Sequence, residues 1–525
     1  MKSRLVVYVP GFRMTLQRWD PLIKRLQAES DFVDTKWKGW DHDIGLFSTH
    51  SVMSKAVELC AVIDSEWKLA EGFDEIILVG HSLGGILVRQ CYLIASGCYK
   101  NEPKCAWAKN IKRIVLLASP NRGIDQSKFR IRLYDLITRF LGVMRFRPLI
   151  GEDLISGSDS MINLRLAWIK HMASLPANQR PSITQILGTV DSLVTRRDSM
   201  DLEQFPNATH VSIPDVNHRQ LPLMDEGPNA EMRYRFIKDA LVGTVTGNSD
   251  PIPINSDKQH IIFVLHGIRA GNRGWVQALE ERIRDVLPDA SVITPSYGYL
   301  SALEFVVPFL HRRPIRVFQQ LYCDSIIENP NARVDFVGHS NGTYILGHSL
   351  RALSAMKFDN VVLTGSVLPR DFEWREFMKG TSPQVKKLRN DCANADWPVG
   401  ILCKGLSGIF RNDIGTGGYE GFHHDDDNVF QYWFHKGGHS AALSEDNLPN
   451  IARFLAQGDG TSKPSNLVEE DLWFSLLSKF ASVIFWALVG CLVIVFGLSL
   501  ATQHIYVALG ILIGLVVLAI ILKQI

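Results

Sequence analysis

Two serines stand in the pattern G-x-S-x-G, as Gly80-His81-Ser82-Leu83-Gly84 and as Gly338-His339-Ser340-Asn341-Gly342. A serine hydroxyl at neutral pH is a weak nucleophile. It attacks an acyl carbon only when a histidine takes its proton and a carboxylate orients that histidine. The context of both serines suits that chemistry. Each follows a short apolar run, Glu75–Val79 or Arg333–Val337, and precedes a helix-compatible stretch, Gly85–Ala95 or Thr343–Ala355. A serine on a sharp strand-to-helix turn is pushed clear of the sheet. The flanking glycines allow helix and strand to approach without a Cβ clash. The positive end of the new helix then faces any charge that develops beside the hydroxyl.

The elements around the two serines repeat. Leu5–Val9 leads into Pro10-Gly11-Phe12, and Ile261–Leu265 leads into His266-Gly267-Ile268. From Gly11 to Ser82 is 71 residues, and from Gly267 to Ser340 is 73. Helices are predicted at Leu16–Ala28 and Val52–Leu69 in the first interval. The second interval reads as a helix at Trp275–Val286, a strand at Ser291–Pro295 and a helix near Val306–Ile327. Alternating strands and helices imply a parallel sheet covered on both faces. Equivalent motifs about 256 residues apart imply two copies of one domain.

With these motifs the chain resembles the α/β-hydrolase family from residue 1 to about 457. The resemblance implies an α/β fold of two tandem domains, 1–246 and 259–457, joined by a linker at 247–258. It also implies an oxyanion hole in each, made by backbone amides of Leu83 and Phe12 and of Asn341 and Ile268. Two preorganised N–H donors would each stabilise a tetrahedral oxyanion by on the order of 3 kcal/mol. His266 replaces Pro10 in the second copy, a change that leaves the backbone donors in place. Both copies begin at this strand, so two antiparallel strands that often precede it are expected to be missing.

In this family the acid and the histidine follow the serine, in that order, on loops after later strands. In the first domain Ser182–Gly188 reads as a strand that runs into Thr189-Val190-Asp191, and a strand at Ala208–Ile213 leads to Pro214-Asp215-Val216-Asn217-His218. Asp191 is the expected orienting acid and His218 the expected base, with Asp215 and His210 as competitors. In the second domain the strand around Lys387 ends near Asp396, and Gly437-Gly438-His439 follows the aromatic run Tyr432–Phe434. Asp396 and His439 are expected there, with Asp391 as fallback acid and His435 as a structural residue. His81 and His339 precede their serines and are expected to point away from the hydroxyls. His423-His424-Asp425-Asp426-Asp427 has ligand-type residues, but adjacent positions converge poorly on one ion. No metal or cofactor is expected.

Between Gly123 and Ser182 lies an insertion, about 124–181, where the family builds a lid. Its first part, Lys128–Leu141 and on to Arg147, carries six cations and one carboxylate among bulky apolar residues. Such an element suits either an ordinary lid helix or an anionic bilayer surface. After a linker at 458–471, residues 472–525 read as a membrane anchor. Phe480–Leu500 holds no charge, and Ile505–Leu522 is a second apolar run, so a transmembrane hairpin is expected at 480–500 and 505–522. Lys479 and Lys523 flank it, which places the catalytic domains on the cytoplasmic side. Leu5 lies already in the first expected strand, so no signal peptide is expected.

Eight cysteines show no zinc or redox spacing and suit a reducing compartment. A net charge of +2 argues against nucleic acid as a partner. The expected function is a membrane-anchored serine hydrolase of lipid or acylated esters and thioesters, with a triad in each domain. The alternative is one catalytic domain beside a binding or regulatory copy. Oligomeric state is not legible.

Overall fold

The computed structural model describes residues 3–45, 48–99, 102, 104–124, 150–194, 208–247, 258–267, 274–295, 312–407, 412–424, 426–465 and 467–502, with 506, 511, 512 and 514. The chain divides into two compact units, Met1–Asn255 and Ser256–Ile525.

The first unit holds one sheet of six strands: β1 (Arg4–Val9), β2 (Thr35–Gly39), β3 (Glu75–His81), β4 (Ile111–Leu117), β5 (Ser182–Gly188) and β6 (Ala208–Ile213), in the order β2-β1-β3-β4-β5-β6. The second unit repeats that order with β7 (His260–Leu265), β8 (Ser291–Ile293), β9 (Arg333–His339), β10 (Phe358–Thr364), β11 (Val385–Ala393) and β12 (Val429–His435), as β8-β7-β9-β10-β11-β12. All these strand pairs are parallel. Among the described residues no antiparallel strand precedes β1 or β7. The chain is thus an α/β protein with two six-stranded parallel sheets, each flanked by helices.

Parallel sheets covered on both faces need strands that are apolar throughout. In β3 all seven residues are buried. Its two faces feed separate cores: Ile76 and Leu78 pack with the helices Val52–Leu69 and Leu83–Ala95, while Ile77 and Val79 pack with Leu22, Leu26 and Ile237. The helix Leu83–Ala95 is buried at all thirteen positions. It packs between the sheet, the helix Val52–Leu69 and the helix Asp159–Ser174 of the insertion. Its one charged residue, Arg89, donates to Asn121 Oδ1 at 3.1 Å and lies 4.8 Å over the Trp168 ring. That pairing gives a buried guanidinium one carboxamide acceptor and a ring face, and ties the loop after β4 to the insertion.

The structure differs from the sequence reading in three places. β2 was not anticipated, because Lys36 and Lys38 alternate with Trp37 in an edge strand whose cations reach Glu66 instead of the core. The segment read as one helix at Leu16–Ala28 is a 3₁₀ turn, Leu16–Trp19, followed by Asp20–Gln27 with Pro21 in its first turn. The helices after both serines begin at once, at Leu83 and Asn341. The apolar C-terminal helix runs unbroken over Leu472–Ala501.

Part of the insertion at Lys128–Arg147, most of the second apolar run at Ile505–Leu522, Ile268 and Asp425 lie outside the described residues. By length and composition Leu472–Ser499 is long and apolar enough to cross a membrane, with a mean hydropathy of 2.6 over an 18-residue window.

Candidate active site

Ser82 and Ser340 occupy the same strained turn. Ser82 has φ 51° and ψ −117°, and Ser340 has φ 54° and ψ −119°. A serine held there costs on the order of 1–3 kcal/mol, a cost the surrounding packing must offset. The packing is tight enough to do so. A Cβ on Gly84 would lie 2.2 Å from the carbonyl oxygen of Val9, and one on Gly342 would lie 2.5 Å from that of Leu265. Glycine is therefore required where the new helix crosses the first strand. Each serine N–H also donates across the sheet, Ser82 to Leu117 O at 2.9 Å and Ser340 to Thr364 O at 3.1 Å.

In the first unit three distant residues meet at the carboxyl edge of the sheet. His218 Nδ1 lies 2.8 Å from Asp191 Oδ2, and His218 Nε2 lies 2.8 Å from Ser82 Oγ. With the Nδ1 proton donated to the carboxylate, Nε2 is left to accept from the serine. Asp191 is 1% exposed in its side chain, and its Oδ1 accepts from the N–H groups of Leu193 and Val194 at 2.8 and 2.9 Å. Those two donors fix the acid's orientation independently of the histidine. The loop carrying His218 is held from beneath by Arg233, fully buried on the helix Ala230–Val242. Its guanidinium donates to the carbonyls of Gln220 and Leu223 and, at 2.6 Å, to that of Glu226.

Leu83 is the first residue of its helix, so its N–H has no intrahelical acceptor. Phe12 sits in the turn after β1. Together with Ser82 and His218 both line a cavity of about 680 Å³, walled by apolar residues that include Ile150, Leu154 and Ile155 of the insertion. The competitors fall elsewhere. His210 is buried within β6, and Asp215 is exposed with its N–H bonded to Thr189 Oγ1.

The second unit reproduces most of this. His439 Nδ1 lies 2.9 Å from both carboxylate oxygens of the fully buried Asp396, and Asp396 Oδ1 accepts from Val399 N–H at 3.0 Å. Asn341 opens its helix as Leu83 does. Among the described residues Ser340 Oγ and His439 Nε2 form no hydrogen bond, unlike their counterparts. Asp391 lies inside β11, paired with Arg389 at 2.9 Å and near His435 at 3.4 Å. It belongs to a buried network with Asn447 behind the sheet edge.

Among the described residues His81 and His339 make no hydrogen bond to the serine hydroxyls; His81 lines the cavity with Ser82, and both rings do more than pack. His81 Nε2 donates to the backbone carbonyl of His218 at 2.8 Å, and His339 Nε2 to that of His439 at 3.2 Å. Each thus holds the loop of the histidine whose ring it faces at a tilt, at ring distances of 5.1 and 4.7 Å. The signal available in the sequence was the recurrence of histidine before both serines. Arg233 offered none.

Burial, with a smaller contribution from the neighbouring histidine, pushes the pKa of His81 and of His339 down to about 3. An unfolded histidine titrates near 6.5, so the unfolded state takes up the proton first as pH falls. Stability is therefore full above about pH 6.5 and is lost between there and pH 3, by up to about 1.4 kcal/mol per pH unit for each ring. Replacing His81 with glutamine should make the decline in urea midpoint between pH 7 and pH 4 shallower for the first unit. An unchanged slope would contradict the assignment of a neutral, buried ring.

No family model matches the sequence, and no curated protein is similar to it. Solved structures match parts of the chain. A monoacylglycerol lipase of Paleococcus ferrophilus is 16% identical over 46% of this chain and 95% of its own, with a TM-score of 0.30. Phospholipase PlaB of Legionella pneumophila is 17% identical over 35% of this chain and 39% of its own, at 0.25. The RedJ thioesterase of the Streptomyces coelicolor prodiginine pathway is 12% identical over 46% of this chain and 86% of its own, at 0.28.

Among the described residues no group of three or more histidine, cysteine or acidic side chains is placed to hold a metal ion.

Proposed function

We propose that the first unit is a serine hydrolase that cleaves carboxylic esters or thioesters of lipids or acylated molecules through an acyl-enzyme. The observation that carries this reading is the unbroken chain from Ser82 Oγ through His218 to Asp191, with both contacts at 2.8 Å. In this mechanism His218 Nε2 takes the hydroxyl proton as Ser82 Oγ adds to the acyl carbon. The amides of Leu83 and Phe12 stabilise the oxyanion. His218 then returns the proton to the leaving oxygen or sulfur, and water releases the acyl group by the same steps in reverse order. Asp191 keeps the imidazole in the required tautomer throughout.

Residues Ser340, Asp396 and His439, with the amides of Asn341 and Ile268, supply the same groups in the second unit. The open Ser340–His439 contact favours a second reading, in which that unit binds an acyl ligand with little or no turnover. The apolar helix Leu472–Ala501, with or without a return span at 505–522, would hold the chain on a bilayer with both units on its cytoplasmic side. Confinement there would raise the effective concentration of lipid substrates.

A fluorophosphonate probe tests both statements. Ser82 is expected to label at least about tenfold faster than Ser340, since among the described residues only Ser82 has a histidine nitrogen within hydrogen-bond distance of its hydroxyl. Labelling that survives Ser82→Ala combined with Ser340→Ala would remove the assignment, and equal rates would remove the distinction between the units.

A further inference from the structure

The cavity beside Ser82 is apolar along its walls and cationic at two places. Arg13 and Arg219 line it, and no carboxylate does among the described residues. Both arginines are exposed, and neither is in an ion pair among the described residues. By contrast Arg4, Arg18, Arg25 and Arg113 of the same unit each pair with a glutamate. The two cations are also covalent neighbours of the reacting groups, Arg13 next to Phe12 and Arg219 next to His218. Arg13 is held at φ 57°, a conformation that glycine or asparagine would adopt at less cost.

We infer that the first unit selects acyl esters whose departing alcohol carries a phosphate within a few bonds of the ester. The inference rests on the hydrolase reading above and gives it a substrate class. His218 must protonate the leaving oxygen, so the alcohol part lies on the His218 side, where Arg219 stands. The acyl tail occupies the apolar walls around Leu154 and Ile155. A phosphate is the anion that guanidinium groups bind best, through paired charge-assisted hydrogen bonds. Adjacent Cα atoms are only about 3.8 Å apart, so Arg219 reaches a phosphate close to the scissile bond and not one at the end of a long arm. A glycerophosphate headgroup meets that limit. The phosphates of an acyl-coenzyme A do not.

The test uses the full chain in lipid nanodiscs, in a Ser340→Ala background so that turnover reports the first unit. The kcat/KM for 1-oleoyl-lysophosphatidate is compared with that for 1-oleoylglycerol and for oleoyl-coenzyme A. Lysophosphatidate is expected to be preferred over the neutral ester by about tenfold or more, as loss of a charged hydrogen bond predicts. The double variant Arg13→Gln, Arg219→Gln should bring that ratio close to one with an unchanged melting temperature. A ratio that the double variant leaves intact overturns the proposal. So does a parent enzyme that prefers oleoylglycerol, or a variant that loses oleoyl-coenzyme A turnover equally. If no ester is cleaved and Ser82 does not label, the hydrolase reading itself has failed. In that case calorimetry with dodecyl phosphate decides: binding that weakens in the double variant, and that inorganic phosphate does not reproduce, supports the anion site. Absence of such binding removes it.

Discussion

Ser82→Ala should abolish ester turnover by the first unit, with a fall in kcat on the order of 10⁵- to 10⁶-fold, while the protein stays folded. The size of the loss follows from geometry. His218 Nε2 accepts from the Ser82 hydroxyl, and without that hydroxyl neither the imidazole nor the amides of Leu83 and Phe12 has a nucleophile to assist. What survives is water attack in a site that still binds the ester and its oxyanion, so activity should remain above the uncatalysed rate. The alanine also leaves the turn intact, since the φ of 51° is set by packing between the helix and the first strand and not by the hydroxyl. Steady-state assays on short-chain esters, in a Ser340→Ala background, measure the change directly. Residual turnover within tenfold of the parent would mean that another group is the nucleophile.

Asp191→Asn is expected to cost on the order of 10⁴-fold in kcat with little change in KM. The carboxylate accepts from three donors: His218 Nδ1 through one oxygen, and the amides of Leu193 and Val194 through the other. Asparagine can keep the two backbone donors on its oxygen. It then presents NH₂ to the imidazole, which must turn its unprotonated Nδ1 toward that group. The proton moves to Nε2, and the ring can no longer take one from Ser82. The variant should therefore fold, label slowly with fluorophosphonate and keep its substrate affinity. A proportional rise in KM with kcat unchanged would instead make Asp191 a binding residue.

These two residues were legible to very different degrees. Ser82 sits in a pentapeptide whose glycines are demanded by contacts only a few ångströms long, so local sequence carries the whole signal. Asp191 and His218 became visible only after the strands preceding them were placed, since nothing local separates His218 from His210 or Asp191 from Asp215. The parallel sheets were legible where strands are buried on both faces, as β1, β3 and β9 are, because their apolar runs leave no other reading. β2 was not, because an edge strand with Lys36 and Lys38 looks like a polar loop until Glu66 is placed across from it. Interactions that act at long range through backbone carbonyls were also hidden. Arg233 beneath the His218 loop is one. The contact of the C-terminal helix with the second unit is another, since Ser478 and Ser482 in an apolar run look like mere dilution.

That last contact changes what the helix is for. Ser478 Oγ donates to Gly400 O at 2.7 Å and Ser482 Oγ to Lys404 O at 2.6 Å, while Phe474 packs on Gly400 and on Tyr419. Gly400 in turn donates to the carbonyl of Asp396. The first four turns are thus fastened to the segment that follows Asp396 in the second unit. Beyond Phe485, which abuts Gly405, about 16 residues of Leu472–Ala501 remain, or about 24 Å at 1.5 Å per residue. A hydrocarbon layer is about 30 Å deep. A helix that crosses it must draw Gly405 and the exposed Leu402 down to headgroup level. In a helix that spans a bilayer, thickness would then become a mechanical input: a thicker membrane would pull on the loop that holds Asp396.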